Sequence, residues 1–179
     1  MKDNKVKKMI DVIIPAHLPN ESNLRLLERA LASLESQTLK DFNIICVLNG
    51  CFVDCEDIIS AIDTTLEIQW EVFEGKESAA AARNRGIEKS EAEFIAQLDA
   101  DDWYHPEKLE KQLRFMKKNP EYSFVGTLAW DWHHQNDIRE SCFAPGQYQS
   151  HTDIAAAIHH ENMICCGSVM FKREDFLAL

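Results

Sequence analysis

The chain has no stretch approaching the ~18 consecutive apolar residues that a bilayer span requires. Its basic start, Met1-Lys2-Asp3-Asn4-Lys5-Val6-Lys7-Lys8, leads into an apolar run at residues 9–14 that Asp11 interrupts and Pro15 ends, too short for a signal-peptide core. Positive charge is also scarce: 19 Lys and Arg face 30 Asp and Glu, a net charge of −11 at pH 7. That balance repels nucleic-acid phosphates and anionic membranes, so neither is a general partner, and an anionic ligand would need a metal ion as mediator. No framework spacing relates Cys46, Cys51, Cys55, Cys142, Cys165 and Cys166. Adjacent Cys165 and Cys166 chelate one zinc poorly, and Cys51-x-x-x-Cys55 lacks a second ligand pair. They read as reduced, structural thiols, which with the missing leader points to the cytoplasm. Attachment to the inner face of a membrane would have to come from a portion outside this chain. Internal repeats and low-complexity linkers are absent too.

What is present suits one domain over residues 1–179, with 1–8 as a flexible basic tail. Hydrophobic residues at 45% fill a core, and with 27% charged the composition excludes a disordered chain. Residues 10–14 read as a buried strand stopped by Pro15. Leu24, Leu27, Leu31 and Leu34 recur at helical spacing as far as Gln37, after a start signal at Asn20 and Ser22. A second strand at 42–48 ends at the turn pair Asn49-Gly50, a short helix is predicted at 58–66, and a third strand at 68–73 ends at Gly75. Ser78 caps a helix at 79–89, and 94–98 is a fourth strand. Pro106 opens a helix to Lys118, stopped by Asn119-Pro120. Beyond Phe124 the pattern predicts a strand to Trp130, a loop rich in His, Gln and Asn, a helix at 153–160 and a strand at 168–171. Residues 175–179 read as a helix cut off soon after it starts, so the fold is expected to continue past the chain. This alternation is an α/β pattern: a mostly parallel central sheet with helices on both faces, whose ligands bind at the carboxyl ends of the strands.

At the end of the fourth strand, Gln97-Leu98-Asp99-Ala100-Asp101-Asp102-Trp103 crowds three carboxylates into four positions. Such groups repel and raise one another's pKa, and a bound divalent cation relieves that. Hard oxygen donors suit Mg²⁺ or Mn²⁺, which keeps open positions for substrate phosphates. The bland alternative is a solvated acidic turn at the start of the Pro106 helix. A calcium loop of the EF-hand kind is excluded because Trp103 and Tyr104 stand where a Gly and further ligands are needed. A haloacid-dehalogenase phosphatase is excluded because its Asp-x-Asp follows the first strand.

Several stretches, in order, resemble the family-2 glycosyltransferases of the GT-A fold. They are Val12-Ile13-Ile14-Pro15-Ala16, Ala30-Leu31-Ala32-Ser33-Leu34-Glu35-Ser36-Gln37-Thr38, Asp41-Phe42-Asn43-Ile44-Ile45, Ala82-Arg83-Asn84-Arg85-Gly86-Ile87 and Leu98-Asp99-Ala100-Asp101-Asp102-Trp103 before Pro106-Glu107-Lys108-Leu109, with a weaker match at Gly167-Ser168-Val169-Met170-Phe171. The resemblance implies a Rossmann-like sheet and an inverting, metal-dependent transfer of a sugar from a nucleotide-diphosphate sugar, often UDP-linked, to a hydroxyl of a glycan, a lipid-linked or another acceptor. It sets the base against Pro15, Ala16, His17 and the end of the second strand. It makes Asp99, Ala100 and Asp101 the ribose and metal motif, with Asp101 the foremost Mn²⁺ or Mg²⁺ ligand and Asp99 or Asp102 beside it. The ion would neutralise charge on the leaving nucleotide diphosphate. Arg83, one turn into a helix whose start favours anions, suits the base or diphosphate; as a surface arginine it would do neither.

Two features depart from the family pattern. Leu48-Asn49-Gly50-Cys51 replaces an Asp-Asp-Gly-Ser type turn, so Asn49 stands where an acid accepts from the base, and its amide can also donate. The alternative reading of Asn49 is a simple turn-maker with Gly50. Residues 17–21 lengthen the first loop. The base that deprotonates the acceptor belongs to a later acidic motif and is expected beyond Leu179, since Glu174 and Asp175 come too early. That leaves open a module that binds a nucleotide sugar without turnover. A sugar-1-phosphate nucleotidyltransferase is disfavoured because no Gly-rich loop with a basic residue follows the first strand. His105, His133-His134, His151 and His159-His160 lack an i, i+4 pair for zinc. Trp130 and Trp132 read as core residues, and Trp103 and Tyr104 as the lining of an acceptor cleft or a helix-entry staple.

Overall fold

The computed structural model describes residues 8–73, 75–133, 138–141, 150–160 and 164–179. Strand β1 (Ile10–His17) is the spine of the sheet, buried from Ile10 to Ala16. Ile10, Val12, Ile14 and Ala16 enter one core while Ile13 enters the other, which is why the run is continuously apolar instead of alternating. It lies between β2 (Asn43–Asn49) and β4 (Phe94–Gln97), parallel to both, and β3 (Ile68–Val72) extends the parallel sheet beyond β2. On the far side of β4, strand β8 (Met170–Lys172) runs antiparallel and pairs in turn with β5 (Phe124–Val125). The order is β3-β2-β1-β4-β8-β5.

Helices α1 (Glu21–Glu35), α2 (Cys55–Ala61) and α4 (Lys108–Lys118) cover one face, through Leu27, Leu31, Leu34, Ile58, Leu109 and Met116. Helix α3 (Ala79–Lys89) covers the other with Ala82 and Ile87. It can sit directly on β1 because Gly86 has no side chain: a Cβ there would be 2.5 Å from Ile13 Cγ2. The remaining pieces are a separate ladder of β6 (Trp130–His133) with β7 (Ile138–Ser141), helix α5 (His151–Ala157), a 3-10 turn Cys166–Ser168 and helix α6 (Arg173–Leu177).

The mostly parallel α/β architecture agrees with the sequence, and α3 begins and ends where predicted. Several boundaries differ. Strand β1 runs through Pro15 because its pairing with β4 stops at Ile13↔Gln97. The Ile13 carbonyl accepts from Leu98 N at 3.1 Å, so Pro15, facing the same side two residues on, meets no ladder that needs its missing N–H. Helix α2 lies earlier than 58–66 because the Asp54 carboxylate caps it at Glu56 N, 2.8 Å away. Helix α4 starts two residues after Pro106, whose carbonyl accepts from Thr38 N at 2.8 Å. The strand expected from Phe124 to Trp130 is split into β5 and β6. Helix α5 starts two residues early, closed by a capping box between Ser150 and Asp153. The strand expected at 168–171 starts at Met170, after the 3-10 turn. Lys8, counted with the tail, is tied to the Phe42 carbonyl at 2.7 Å. Residues 1–7, His134 and Cys142 lie outside the described residues.

The end of α1 grips the segment that carries the acids. Gln37, 1% exposed, donates through Nε2 to the carbonyls of Ser33 (3.2 Å) and His105 (2.9 Å) and accepts from Leu109 N at 3.2 Å. Ser33 Oγ accepts from Tyr104 N at 3.0 Å. Gln37→Ala would leave the buried Leu109 N–H without its acceptor, while the Ser33 and His105 carbonyls keep Ser36 Oγ and Lys108 N as donors, so we expect a loss of about 1–3 kcal/mol in urea unfolding. A loss below about 1 kcal/mol would show that water replaces the amide.

Candidate active site

The register His17↔Asn49 brings the ends of β1 and β2 level. There the chain turns at Gly50 with φ of +56°, and a Cβ at that position would lie 2.6 Å from the His17 ring. His17 Nδ1 is 3.1 Å from the Asn49 carbonyl oxygen. The Asn49 side chain is 1% exposed: Nδ2 reaches the Ala16 carbonyl at 3.5 Å, and Oδ1 accepts from Glu77 N at 3.4 Å. Its amide therefore stitches the loops after β1, β2 and β3 together. Pro15 is buried and the Ala16 methyl lies in the core, so these two can offer a ligand only backbone. Of the four residues expected at the base, His17 alone presents a ring to the cleft edge.

Across the sheet, the acids follow β4 in a turn closed by Asp102 N to the Asp99 carbonyl at 3.0 Å. Arg83, from α3, donates through Nη2 to Asp99 Oδ1 at 2.6 Å, while its buried Nε has no partner. Arg29, from α1, donates to the Asp101 carbonyl at 2.6 Å and lays its guanidinium over the Trp103 ring, 4.2 Å from the centroid. Ala100 packs against the core, which turns Asp99 and Asp101 away from it. On the opposite flank Gly167 comes close enough that a Cβ would be 2.9 Å from Asp102 Oδ2 and 3.5 Å from Asp99 Oδ2. Asp102 keeps solvent contact, yet its carboxyl is tucked into this concavity. Burial first, then the charges of Asp101 and Asp99, pushes its pKa up to about 6, with Arg29 pulling the other way.

Among the described residues no three His, Cys, Asp or Glu side chains group tightly enough to enclose an ion. The donor set nevertheless fits a divalent cation of the kind held by one or two carboxylates and completed by substrate phosphates. Asp99 and Asp102 converge through their Oδ2 atoms on the space a Gly167 side chain would fill, and Arg83 holds the other oxygen of Asp99.

The aromatic expectations divide. Tyr104 is 4% exposed, with its hydroxyl on the Gln97 carbonyl, so it belongs to the core and lines no cleft. Trp103 stays 42% exposed beside Arg29. Trp130, expected in the core, is 67% exposed on β6; the side chain of Trp132 lies outside the described residues. Arg29 was not singled out in the sequence. It contacts Asp101 and Trp103, 72 and 74 positions away, and nothing in the leucine periodicity of α1 marks it.

With this geometry in place, the model of glycosyl transferase family 2 matches residues 11–178. The chain belongs to glycosyl transferase family 2. An uncharacterised glycosyltransferase of Rickettsia bellii (strain RML369-C) is 36% identical over 110 residues, 62% of this chain but 15% of that protein. Staphylococcus aureus TarS (residues 1–349), solved with UDP-GlcNAc, superposes with a TM-score of 0.67 at 16% identity, covering 94% of this chain and 46% of that 1–349 chain. The mannosyltransferase PcManGT of Pyrobaculum calidifontis, solved with GDP-Man and Mn²⁺, superposes with a TM-score of 0.68 at 15% identity, covering 97% of this chain and 47% of that one. The GT-A fold is thus shared, and the family-2 domain described here spans less than half the length of each of these proteins.

Proposed function

We propose that this family-2 domain binds a nucleotide-diphosphate sugar, UDP-linked, together with Mn²⁺ or Mg²⁺, as the donor-binding part of a transferase that moves the sugar with inversion to a hydroxyl of a glycan, lipid-linked or other acceptor in the cytoplasm. The observation that carries the reading is the carboxylate turn after β4, with Asp99 and Asp102 meeting at Gly167 and Arg83 bound to the Asp99 carboxylate from α3. The printed ligands of the two solved relatives, UDP-GlcNAc in one and GDP-Man with Mn²⁺ in the other, support the donor class. When bound, the metal would supply Lewis-acid neutralisation of the departing diphosphate. Asp101, Asp99 and Asp102 would hold it. Arg83 would orient the diphosphate from the flank of α3 with a planar, always-charged donor. His17 and the backbone of Pro15 and Ala16 would bound the base, while Asn49 sets the loop behind them without touching it.

The test is thermal melting of the chain against nucleoside diphosphates and sugar nucleotides, with and without Mn²⁺. A ligand that binds the native state alone adds about 2.7 kcal/mol of stability at a hundredfold excess over Kd. A shift that needs both metal and a uridine nucleotide is the expected result, and a metal-dependent shift with another nucleotide would replace uridine as the donor base. No shift with any pair would return the acids to the role of a helix-entry turn. Binding without turnover in the full-length protein would favour a donor-binding module.

A further inference from the structure

Cys51 and Cys55 face each other with their sulfurs 3.0 Å apart in a thiol–thiol hydrogen bond. Both are half-buried and pack against the main core. The backbone on each side is fixed independently. Around Cys51, Gly50 N donates to the Gly75 carbonyl at 2.7 Å and Phe52 N to the Leu18 carbonyl at 2.8 Å. Cys55 is the first residue of α2, held by the Asp54 cap and by Ile58, 1% exposed beneath it. Two sulfurs held in this way need to close by only about 1 Å to reach the ~2.05 Å of a disulfide, which small side-chain rotations supply.

We propose that Cys51 and Cys55 are a redox modification site that closes to a reversible intrachain disulfide, with a low-molecular-weight disulfide as the oxidant. In the first step the Cys55 thiolate attacks one sulfur of the oxidant RSSR, forming a mixed disulfide and releasing one RSH after protonation. In the second, the Cys51 thiolate attacks the Cys55 sulfur and expels the other RSH. Two protein thiols lose two electrons and two protons, and RSSR becomes two RSH. The order follows from the surroundings of Cys51. Burial, then the hydrogen bond with Cys55, then the charges of Cys55 and Asp54, pushes its thiol up to about 12, so it stays protonated while Cys55 is free. Once Cys55 carries the mixed disulfide, Cys51 is the sulfur held beside it, 3.0 Å away in the reduced chain, and acts as the resolving thiol.

The bond would staple the loop that follows Asn49-Gly50, directly behind the edge of the proposed donor site. The inference stands on the thiol geometry and does not depend on the donor reading. By contrast Cys46 is buried in the core, with its thiol pushed up by burial, and offers no accessible partner for an external oxidant.

The full chain would be equilibrated in mixtures of reduced and oxidised glutathione, quenched in acid, alkylated, cut at Asp54 without reduction and analysed by mass spectrometry. We expect the two peptides carrying Cys51 and Cys55 to remain joined in most of the chain under oxidising ratios. Cys46 should stay a thiol, the link should be lost on adding dithiothreitol, and Cys55→Ser should leave Cys51 as a free thiol. The bridged form should melt about 2–4 °C higher than the reduced form. The proposal is overturned if Cys51 and Cys55 both remain alkylatable at every ratio. Separate glutathione adducts on each, or a bridge from either to Cys142, Cys165 or Cys166, would overturn it equally.

Discussion

Asp101→Ala should weaken Mn²⁺-dependent nucleotide-sugar binding by at least about a hundredfold, roughly 2.7 kcal/mol, while moving the melting temperature by no more than about 2 °C. The separation of the two effects follows from how the turn is held. Asp101 is exposed, and the contact that fixes its position is made by its backbone carbonyl to Arg29, which alanine retains. Ala100 anchors the turn from its core side and the Asp102 N–H closes it onto Asp99, so neither depends on the Asp101 carboxylate. Asp99→Ala should behave differently. It removes the partner of Arg83 as well as a candidate metal ligand, and so should cost stability in addition to binding. Calorimetry on both variants, with and without Mn²⁺, separates the cases. Unchanged metal-dependent binding by Asp101→Ala would end the assignment of that carboxylate.

These expectations rest on features of unequal legibility in the sequence. Helix α3 could be read to the residue because its signals are local: Ser78 caps it, with Oγ accepting from Ala81 N at 3.1 Å, and the apolar residues Ala82 and Ile87 share a face. The acid turn was legible for the same reason, three carboxylates within four positions after a short apolar run. What escaped is what long-range packing decides. Pro15 read as a strand end because the early divergence of β4 from β1 is invisible in the residues themselves. Tyr104 read as a cleft residue, but its hydroxyl folds back on the Gln97 carbonyl and its backbone N–H finds Ser33, a contact that closes only when α1 docks on the sheet. Asn49 could be placed at the right corner, yet only the meeting of the β1, β2 and β3 loops shows that its amide is spent on the Ala16 carbonyl and on Glu77 N. Arg29 is the plainest case, a polar position on an amphipathic helix whose partner, Asp101, is 72 residues away.

Beneath the acid turn lies a group whose titration should govern how stability depends on pH. Lys108, 8% exposed at the start of α4, donates to Gln112 Oε1 at 2.8 Å and rests 3.8 Å from the centroid of the Tyr104 ring. Burial lowers its pKa from 10.5 to about 7, against a smaller opposing pull from Cys165. Below pH ~7 the lysine is protonated in both the native and the unfolded chain, and the native state bears the full cost of a buried ammonium. Between pH ~7 and ~10.5 the unfolded chain holds a proton that the native state has released, so stability rises with pH, by up to about 1.4 kcal/mol per pH unit. Lys108→Met keeps the bulk and removes the charge, at the price of leaving Gln112 Oε1 without its donor. Its advantage over the parent chain should therefore be greatest at pH 6–7 and shrink by a few kcal/mol towards pH 10. Urea unfolding of both chains across that range reads the difference directly, and parallel curves would mean that Lys108 is not the titrating group. The same substitution bears on the site. Gln112 donates through Nε2 to the Ser168 carbonyl at 2.8 Å, and Ser168 adjoins Gly167, against which Asp99 and Asp102 converge. If the lysine steadies Gln112, Lys108→Met should also loosen metal-dependent donor binding by a few-fold, whereas intact binding with a changed pH profile would confine Lys108 to the core.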